Sequence, residues 1–139
     1  MVFWKWDDSY LTNVSAMDAR HRKLIDMFNE LYASVIDCED LKEENALTRQ
    51  ILENLISYGK EHFAEEEELL LQYAYPELQA HKEEHERFRS HIADLVAQYE
   101  RGEVALSFPV FVFLKEWIEE HVLKVDQLYG PYLNERGVR

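Results

Sequence analysis

Two pairs of side chains that can bind a transition metal stand close together in this sequence. His62 with Glu66 forms the first pair, and His81 with His85 forms the second. Each pair is spaced i, i+4, so on an α-helix its two side chains project from one face, one turn apart. Imidazole nitrogens and carboxylate oxygens are ligands for borderline metals such as iron, zinc or copper. The spacing therefore predicts a metal site shared by two helical segments.

Between the two pairs lies the dipeptide Tyr75-Pro76, where one helix should end and another should begin. A short turn at this point makes the two helices antiparallel, so that three imidazoles and one carboxylate face each other. The neighbouring acidic run Glu65, Glu67 and Glu68 is interpreted as solvated surface.

Two more histidines, His21 and His121, lie on the apolar seams of other predicted helices. In each seam, apolar residues recur at alternating steps of three and four, which is typical of helices packed in a bundle. Five of the six histidines occupy seam positions, and His91 lies off the seam. A single histidine on a seam is usually satisfied within the core. Burying five imidazoles without partners would cost several kcal/mol per group, so a bound metal is the favoured interpretation.

The seams predict an all-α protein, an up-down-up-down four-helix bundle with an N-terminal arm. The chain is expected to form one domain over residues 1–139, because this length suits a single core. The short spacing across the turn places all the candidate ligands at the bundle end that Tyr75-Pro76 closes. The predicted bounds are 1–14 for the arm, about 16–37, 41–73, 76–101 and 108–129 for the helices, and 131–139 for a tail after a stop at Gly130-Pro131.

The overall charge and the cysteine count exclude several classes of protein. A net charge of −13 at pH 7 argues against nucleic-acid binding and offers no basic patch to anionic lipid. The one cysteine, Cys38, excludes an intrachain disulfide framework and a cysteine-based zinc site. No apolar run approaches the roughly 20 residues of a bilayer span, and the aromatic, acidic start does not resemble a signal peptide. We therefore expect a cytoplasmic protein with no nucleic-acid or membrane partner, and the sequence identifies no protein partner.

The candidate ligands lie in four motifs: MDARHRKL around His21, HFAEE at 62–66, HKEEH at 81–85 and WIEEHVLKVD at 117–126. Together these motifs resemble the hemerythrin family, in particular the hemerythrins of bacteria. The resemblance extends from the N-terminal arm to Tyr129 and is specific, because seven positions stand at their expected places. It departs from the usual pattern at Ser15, where glycine is common.

The resemblance implies a non-haem diiron centre completed by an oxo or hydroxo bridge. The implied metal ligands are His21, His62, Glu66, His81, His85, His121 and Asp126. In this scheme His81, His85 and His121 would bind one iron. His21 and His62 would bind the other, and both carboxylates would bridge the two ions. Two octahedral ions have twelve positions for donor atoms. Five nitrogens and four carboxylate oxygens fill nine of them, and the bridging oxygen fills one position on each iron, which makes eleven. One position then stays open, on the iron with two histidines.

Asp126 is the ligand on which spacing and resemblance disagree. It follows His121 by five residues, which on an α-helix places it about 140° around the axis from that histidine. Spacing alone therefore indicates a surface charge, whereas the resemblance implies a bridging ligand.

The resemblance also implies a function, which is reversible binding of dioxygen for storage or delivery, without enzymatic turnover. Five imidazoles with only two carboxylates suit holding oxygen better than activating it, and the Glu-x-x-His pairs of diiron carboxylate proteins do not occur here. Two alternatives use the same ligands: oxygen or redox sensing through a separate partner, and a diiron enzyme acting on peroxide or nitric oxide. The side chains expected to form an apolar oxygen pocket, which also suit an ordinary core, are Leu24, Phe63, Trp117, Ile118 and Val122.

Overall fold

Four main helices form the body of the protein in a computed structural model that describes residues 4–101 and 107–139, apart from the side chains of 99, 107, 108, 123 and 124. The prediction of an all-α four-helix bundle is confirmed. Among the described residues, no helix combines the length and apolar character that a bilayer crossing needs. The helices are α1 Ser15–Val35, α2 Leu41–Gln72, α3 Leu78–Glu100 and α4 Ser107–Trp117, and the last continues as a π-helix Ile118–Val125, a 3-10 turn Asp126–Leu128 and α5 Tyr129–Glu135.

The turn between α2 and α3 ends the first helix through its backbone. Ala74 adopts the left-handed conformation, with φ of 53°, and the N–H of Tyr75 donates to the carbonyl of Leu70 at 2.9 Å. This is the Schellman arrangement, which satisfies carbonyls at the helix end. The sequence predicted that this helix begins at Pro76. Because Pro76 belongs to the turn, α3 instead begins at Leu78.

The predicted stop at Gly130-Pro131 and the predicted tail are wrong, because α5 runs through both residues. Pro131 lies in the first turn of α5, where its missing N–H leaves no helical hydrogen bond unmade. Gly130 is needed for packing, since a Cβ added there would lie 2.5 Å from the carbonyl oxygen of Thr12 in the arm. The glycine therefore marks a close approach of two segments.

Two glycine-to-alanine substitutions should have opposite effects on stability. At Gly59, inside α2, a new Cβ would meet the rings of Phe63 and Phe88 at 3.9 and 4.0 Å, which is ordinary contact. Gly59→Ala should therefore stabilise the fold by about 0.5–1 kcal/mol by reducing the freedom of the unfolded chain. Gly130→Ala should destabilise it by roughly 1–3 kcal/mol, because the arm must move. Urea unfolding of both variants measures the difference, and equal shifts would contradict the close approach at Gly130.

The described part of the N-terminal arm, from residue 4, is fastened along α1. The N–H of Trp4 donates to the side-chain oxygen of Asn29 at 2.7 Å, and the Asn29 amide donates back to the carbonyl of Trp4 at 2.7 Å. The indole also packs edge-on against Phe28 at 5.6 Å. Nearer the first helix, buried Asp18 accepts hydrogen bonds from the N–H and hydroxyl of Thr12. The arm therefore packs against α1, while residues 1–3 lie outside the described part.

Two apolar clusters divide the core along the bundle axis. On α1, Met17 belongs to one cluster and Leu24 to the other. The same order recurs on the last helical segment, where Val122 and Tyr129 lie in different clusters. The candidate ligands fall between them, so the site is enclosed from both sides. The smaller cluster closes the bundle end that the turn between α2 and α3 alone was expected to close. It contains Val14, Met17, Leu70, Tyr129 and Leu133.

Candidate metal centre

The structure brings all seven predicted ligands together in the interior of the bundle. None of them exposes more than 3% of its surface. α1 contributes one residue, α2 and α3 two each, and the irregular end of the last helix contributes two. The residues are His21, His62, Glu66, His81, His85, His121 and Asp126.

The two oxygens of Glu66 face different histidines. Its Oε1 lies 2.5 Å from Nε2 of His81 and 3.1 Å from Nε2 of His85. Its Oε2 lies 3.4 Å from Nε2 of His62 and 3.8 Å from Nε2 of His21. Glu66 therefore stands between two groups of imidazoles and presents one oxygen to each.

Asp126 divides its oxygens in the same way. Its Oδ1 lies 3.0 Å from Nε2 of His81 and 3.1 Å from Nε2 of His121, while its Oδ2 lies 3.0 Å from Nε2 of His21. Two sets of donor atoms result, each lying within 4.8 Å of one another: Glu66, His81, His85 and His121 in the first, and His21, His62, Glu66 and Asp126 in the second. We call these the three-histidine group and the two-histidine group.

A π-helix explains how Asp126 enters the site. The backbone N–H of Asp126 donates to the carbonyl of His121, five residues earlier. In an α-helix this bond would connect residues four apart, so the wider π-helical turn brings residues five apart into line. The surface position that spacing alone indicated for Asp126 is therefore wrong, because the local helix does not have the α-helical period.

The polar atoms of the site fit a metal, because many are buried without a hydrogen bond of acceptable geometry. These atoms include both ring nitrogens of His21 and His121, Nε2 of His85 and both oxygens of Asp126. A buried donor or acceptor left without a partner costs roughly 1–3 kcal/mol. Imidazole and carboxylate together suit iron and similar ions, and such ions would give partners to one nitrogen of each ring and to the oxygens of Asp126.

The charges in the site favour bound cations. Burial opposes the charged form of His21, but the nearby Asp126 and Glu66 carboxylates outweigh burial and raise the pKa of His21 to about 9. The same balance raises the pKa of His81 to about 10. Burial opposes ionisation of Glu66 too, yet the surrounding histidines hold its pKa well below the ordinary value. Without metal, protons on His21 and His81 balance the carboxylates, and a metal would displace these protons.

Glu67 contacts a predicted ligand, and the sequence interpretation missed this contact. Its Oε2 lies 3.1 Å from Nδ1 of His85, and only 20% of its side chain is exposed. With Nδ1 facing Glu67, Nε2 is the ring nitrogen of His85 that faces Glu66 and could bind a metal. The assignment of Glu67 to solvated surface is therefore wrong. Its position directly after Glu66 was the available signal, but the partner on α3 could not be read from spacing.

Tyr129 is a second missed residue. It is fully buried, and its hydroxyl donates to Oε2 of Glu66 at 3.0 Å. Burial disfavours the phenolate, and the carboxylates of Glu66 and Asp126 add to this, so the pKa of Tyr129 rises well above its ordinary value. The hydroxyl therefore stays a donor. Its place three residues after Asp126 was a signal in the sequence, because residues at that spacing share a helix face.

Two of the five predicted pocket residues contact the site, but they pack on the opposite group from the one expected. The Phe63 ring stacks on His85, with centroids 3.9 Å apart and planes 9° apart. Trp117 stacks on His121 at 4.5 Å and 15°. Both aromatic rings therefore pack on the three-histidine group, although Phe63 also lies 5.9 Å from the ring of His62. The remaining three, Leu24, Ile118 and Val122, are buried in the larger apolar cluster.

Comparisons with known proteins agree with this geometry. The family described as hemerythrin HHE cation binding domain matches residues 12–133. The bacteriohemerythrin of Methylococcus capsulatus is 33% identical over 123 residues, which cover 88% of this chain and 90% of that protein. The bacteriohemerythrin of Stenotrophomonas maltophilia is 29% identical over 130 residues, covering 94% and 81%. A crystal structure of wild-type hemerythrin matches with a TM-score of 0.79 and 31% identity, over 93% of this chain and 96% of that one.

Proposed function

The chain belongs to the hemerythrin family, and on that premise we propose that its seven clustered side chains hold a diiron centre that binds dioxygen reversibly, for storage or delivery. The arrangement of Glu66 and Asp126 carries this proposal, since each places one oxygen near the three-histidine group and the other near His21. Members of this family are oxygen-binding proteins and not enzymes, so the sensor and enzyme alternatives are not favoured.

The two histidine groups define which residues hold each iron. His81, His85 and His121 would hold one ion, and His21 and His62 the other. Glu66 and Asp126 would bridge the two ions. When bound, two ferrous ions supply the two electrons that reversible dioxygen binding requires. With both carboxylates bridging, the ion held by His21 and His62 would have one protein donor fewer than the other ion, which would leave room for a small ligand on its side.

The chain keeps the centre intact by fixing its ligands and excluding water. Phe63 and Trp117 hold the rings of His85 and His121 by stacking on them. Tyr129 donates to Glu66 and fixes the orientation of that carboxylate. We propose that Leu24, Ile118 and Val122 form the apolar lining that keeps water from the oxygen site, and that the two aromatic rings shield the three-histidine group from water.

Anaerobic reduction followed by oxygen titration tests the proposed function. The reduced protein should take up one dioxygen per diiron centre, with saturable absorption changes in the visible range. Lowering the oxygen pressure should return the starting spectrum without added reductant, through repeated cycles. Irreversible oxidation in the first cycle, or rapid turnover of peroxide or nitric oxide, would replace the carrier with an enzyme.

Glu67→Gln should weaken the hold of the protein on iron. Glutamine keeps the size of the side chain but removes the charge that faces Nδ1 of His85 at 3.1 Å. Loss of an outer partner of a metal ligand typically costs about 10–100-fold in metal affinity or activity, so we expect iron loss to a chelator at least about tenfold faster. Glu68→Gln is the matched control, because Glu68 is the next residue and is exposed. Equal rates in the two variants would show that Glu67 is ordinary surface.

We also propose a cytoplasmic location and no nucleic-acid partner. The net charge of −13 supports the second point, because polyanions repel one another. The free thiol of Cys38 is compatible with a reducing compartment. Cell fractionation followed by detection of the protein in each fraction tests the location.

A further inference from the structure

An apolar groove runs between α2 and α3 on the side of the bundle that faces solvent. It has a volume of about 600 Å³, and its apolar walls include Ile56, Phe63, Phe88, Ile92 and Val96. Small residues on both helices, such as Gly59 and Ala93, leave the space open. This volume lies within the range of pockets that bind small organic molecules. The groove is separate from the metal centre but shares one residue with its surroundings, Phe63.

The charged groups around the groove are distributed unevenly. Lys60 and Arg89 stand at the end near the metal centre, and the Arg89 guanidinium carbon lies 5.5 Å from the centroid of the Phe63 ring. Glu100 stands at the other end, where Nη1 of Arg49 lies 2.8 Å from its carboxylate. One end of the groove is therefore basic, and the acid at the other end is already paired.

The basic end remains available to a ligand. Arg89 contacts Glu86 one turn earlier, but their side chains are 41% and 68% exposed. An exposed pair of this kind contributes no more than about 1 kcal/mol, so an incoming anion can exchange with Glu86. Lys60 is also exposed and lies on the facing helix. A carboxylate placed between Lys60 and Arg89 would meet a positive charge from each side.

We propose that this groove binds a linear aliphatic carboxylate, with the chain along the apolar walls and the carboxylate between Lys60 and Arg89. The apolar walls favour the hydrocarbon by burying it. The length of the groove agrees with an extended hydrocarbon chain. Arg89 and Glu100, at its two ends, are eleven residues apart, which is about 16 Å at the helical rise. The net charge of −13 would repel an anion over most of the surface, so a local pair of cations is needed to attract it.

Binding in the groove should be sensed at the metal centre through Phe63. This ring contributes to the groove wall, and it stacks on His85 at 3.9 Å. A hydrocarbon chain that presses on Phe63 therefore alters the setting of an imidazole in the three-histidine group. This consequence rests on the proposed function, whereas binding itself does not.

Calorimetric titration of dodecanoate into the iron-loaded full chain, below the micelle concentration, tests the proposal. The probe was chosen because its extended chain is close to the groove in length. We expect one saturable site per chain. Lys60→Glu should weaken binding by about tenfold or more, the loss expected for one charge-assisted hydrogen bond. Lys42→Glu is the matched control, since it makes the same charge change at an exposed position near the start of α2, and it should bind dodecanoate like the wild type.

Ala93→Phe tests the apolar wall independently of charge. Ala93 is exposed at the edge of the groove, so a larger side chain there fills the groove without disturbing the core. This variant should keep its iron and its melting temperature but lose dodecanoate binding.

A wild type without saturable binding would overturn the proposal. So would equal dodecanoate affinity in Lys60→Glu and Lys42→Glu, or an Ala93→Phe variant that binds dodecanoate like the wild type. A groove that instead joins two copies would be revealed by a dimer that Ala93→Phe converts to a monomer. Oxygen titration of the same samples distinguishes these failures from failure of the proposed function.

Discussion

Replacing His85 by alanine should leave the protein without a stable diiron centre. Nε2 of His85 lies 3.1 Å from Glu66, its Nδ1 lies 3.1 Å from Glu67, and its ring stacks on Phe63. Alanine removes a metal donor and leaves Glu67 without the imidazole that it contacts. We expect the iron content to fall from about two ions per chain to about one or less, because the remaining ligands no longer hold the three-histidine ion. Iron analysis and the visible spectrum of the purified variant measure the loss.

His91→Ala is the control on the same helix. His91 is exposed, and its ring stacks on Phe113 with centroids 4.0 Å apart, away from the ligand cluster. Its removal should leave the iron content and the visible spectrum of the protein unchanged. If His91→Ala and His85→Ala lost the same amount of iron, the seam positions would have no bearing on metal binding.

Removing the iron should destabilise the fold strongly. The site would then bury nitrogens of His21 and His121 and the oxygens of Asp126 without hydrogen bonds of acceptable geometry. Metal binding contributes directly to folding where the site does not exist in the unfolded chain, and we expect a loss of at least about 5 kcal/mol. At about 2–4 °C per kcal/mol, the melting temperature should fall by roughly 10–20 °C. Thermal unfolding followed by circular dichroism measures the shift, and adding ferrous iron back under argon should reverse it.

The destabilisation caused by iron removal should grow as the pH rises. Against the opposing effect of burial, Asp126 and Glu66 raise the pKa of His21 to about 9 and that of His81 to about 10 in the metal-free fold, from 6.5 in the unfolded chain. The protonated forms of His21 and His81 stabilise the fold, and this contribution is complete below pH 6.5. It is lost as the pH rises through about 9 and 10, where these histidines lose their protons. The metal-free protein should therefore lose stability between pH 7 and pH 10. A gap between loaded and metal-free protein that stays constant over this range would contradict the charge balance described for the site.

The helices and the buried histidines were predictable from the sequence because both depend on local backbone geometry. An α-helix has a fixed period, so the i, i+4 spacing of His81 and His85 is sufficient to place both on one face. Their position among apolar seam residues then indicates burial, because the seam is the face on which helices pack. His91 is exposed for the same reason: it lies off the seam.

The position of Asp126 depends on a departure from that period. Its N–H bonds to the carbonyl of His121 across a π-helical turn, a conformation that is rare and is not favoured by any simple pattern of residue types. The α-helical period places Asp126 about 140° around the axis from His121, so spacing alone predicted a surface position. The resemblance to known proteins implied the ligand, but the π-helix gives the physical reason for it.

The remaining features depend on which distant segments the fold brings together. Glu67 contacts an imidazole on the neighbouring helix, and its position beside Glu66 does not by itself identify that partner. Gly130 permits a close approach by Thr12, from the opposite end of the chain, although glycine followed by proline ordinarily ends a helix. Local sequence sets which conformations a segment prefers. The partners of a side chain are set by packing between helices, and that packing is decided by the whole chain at once.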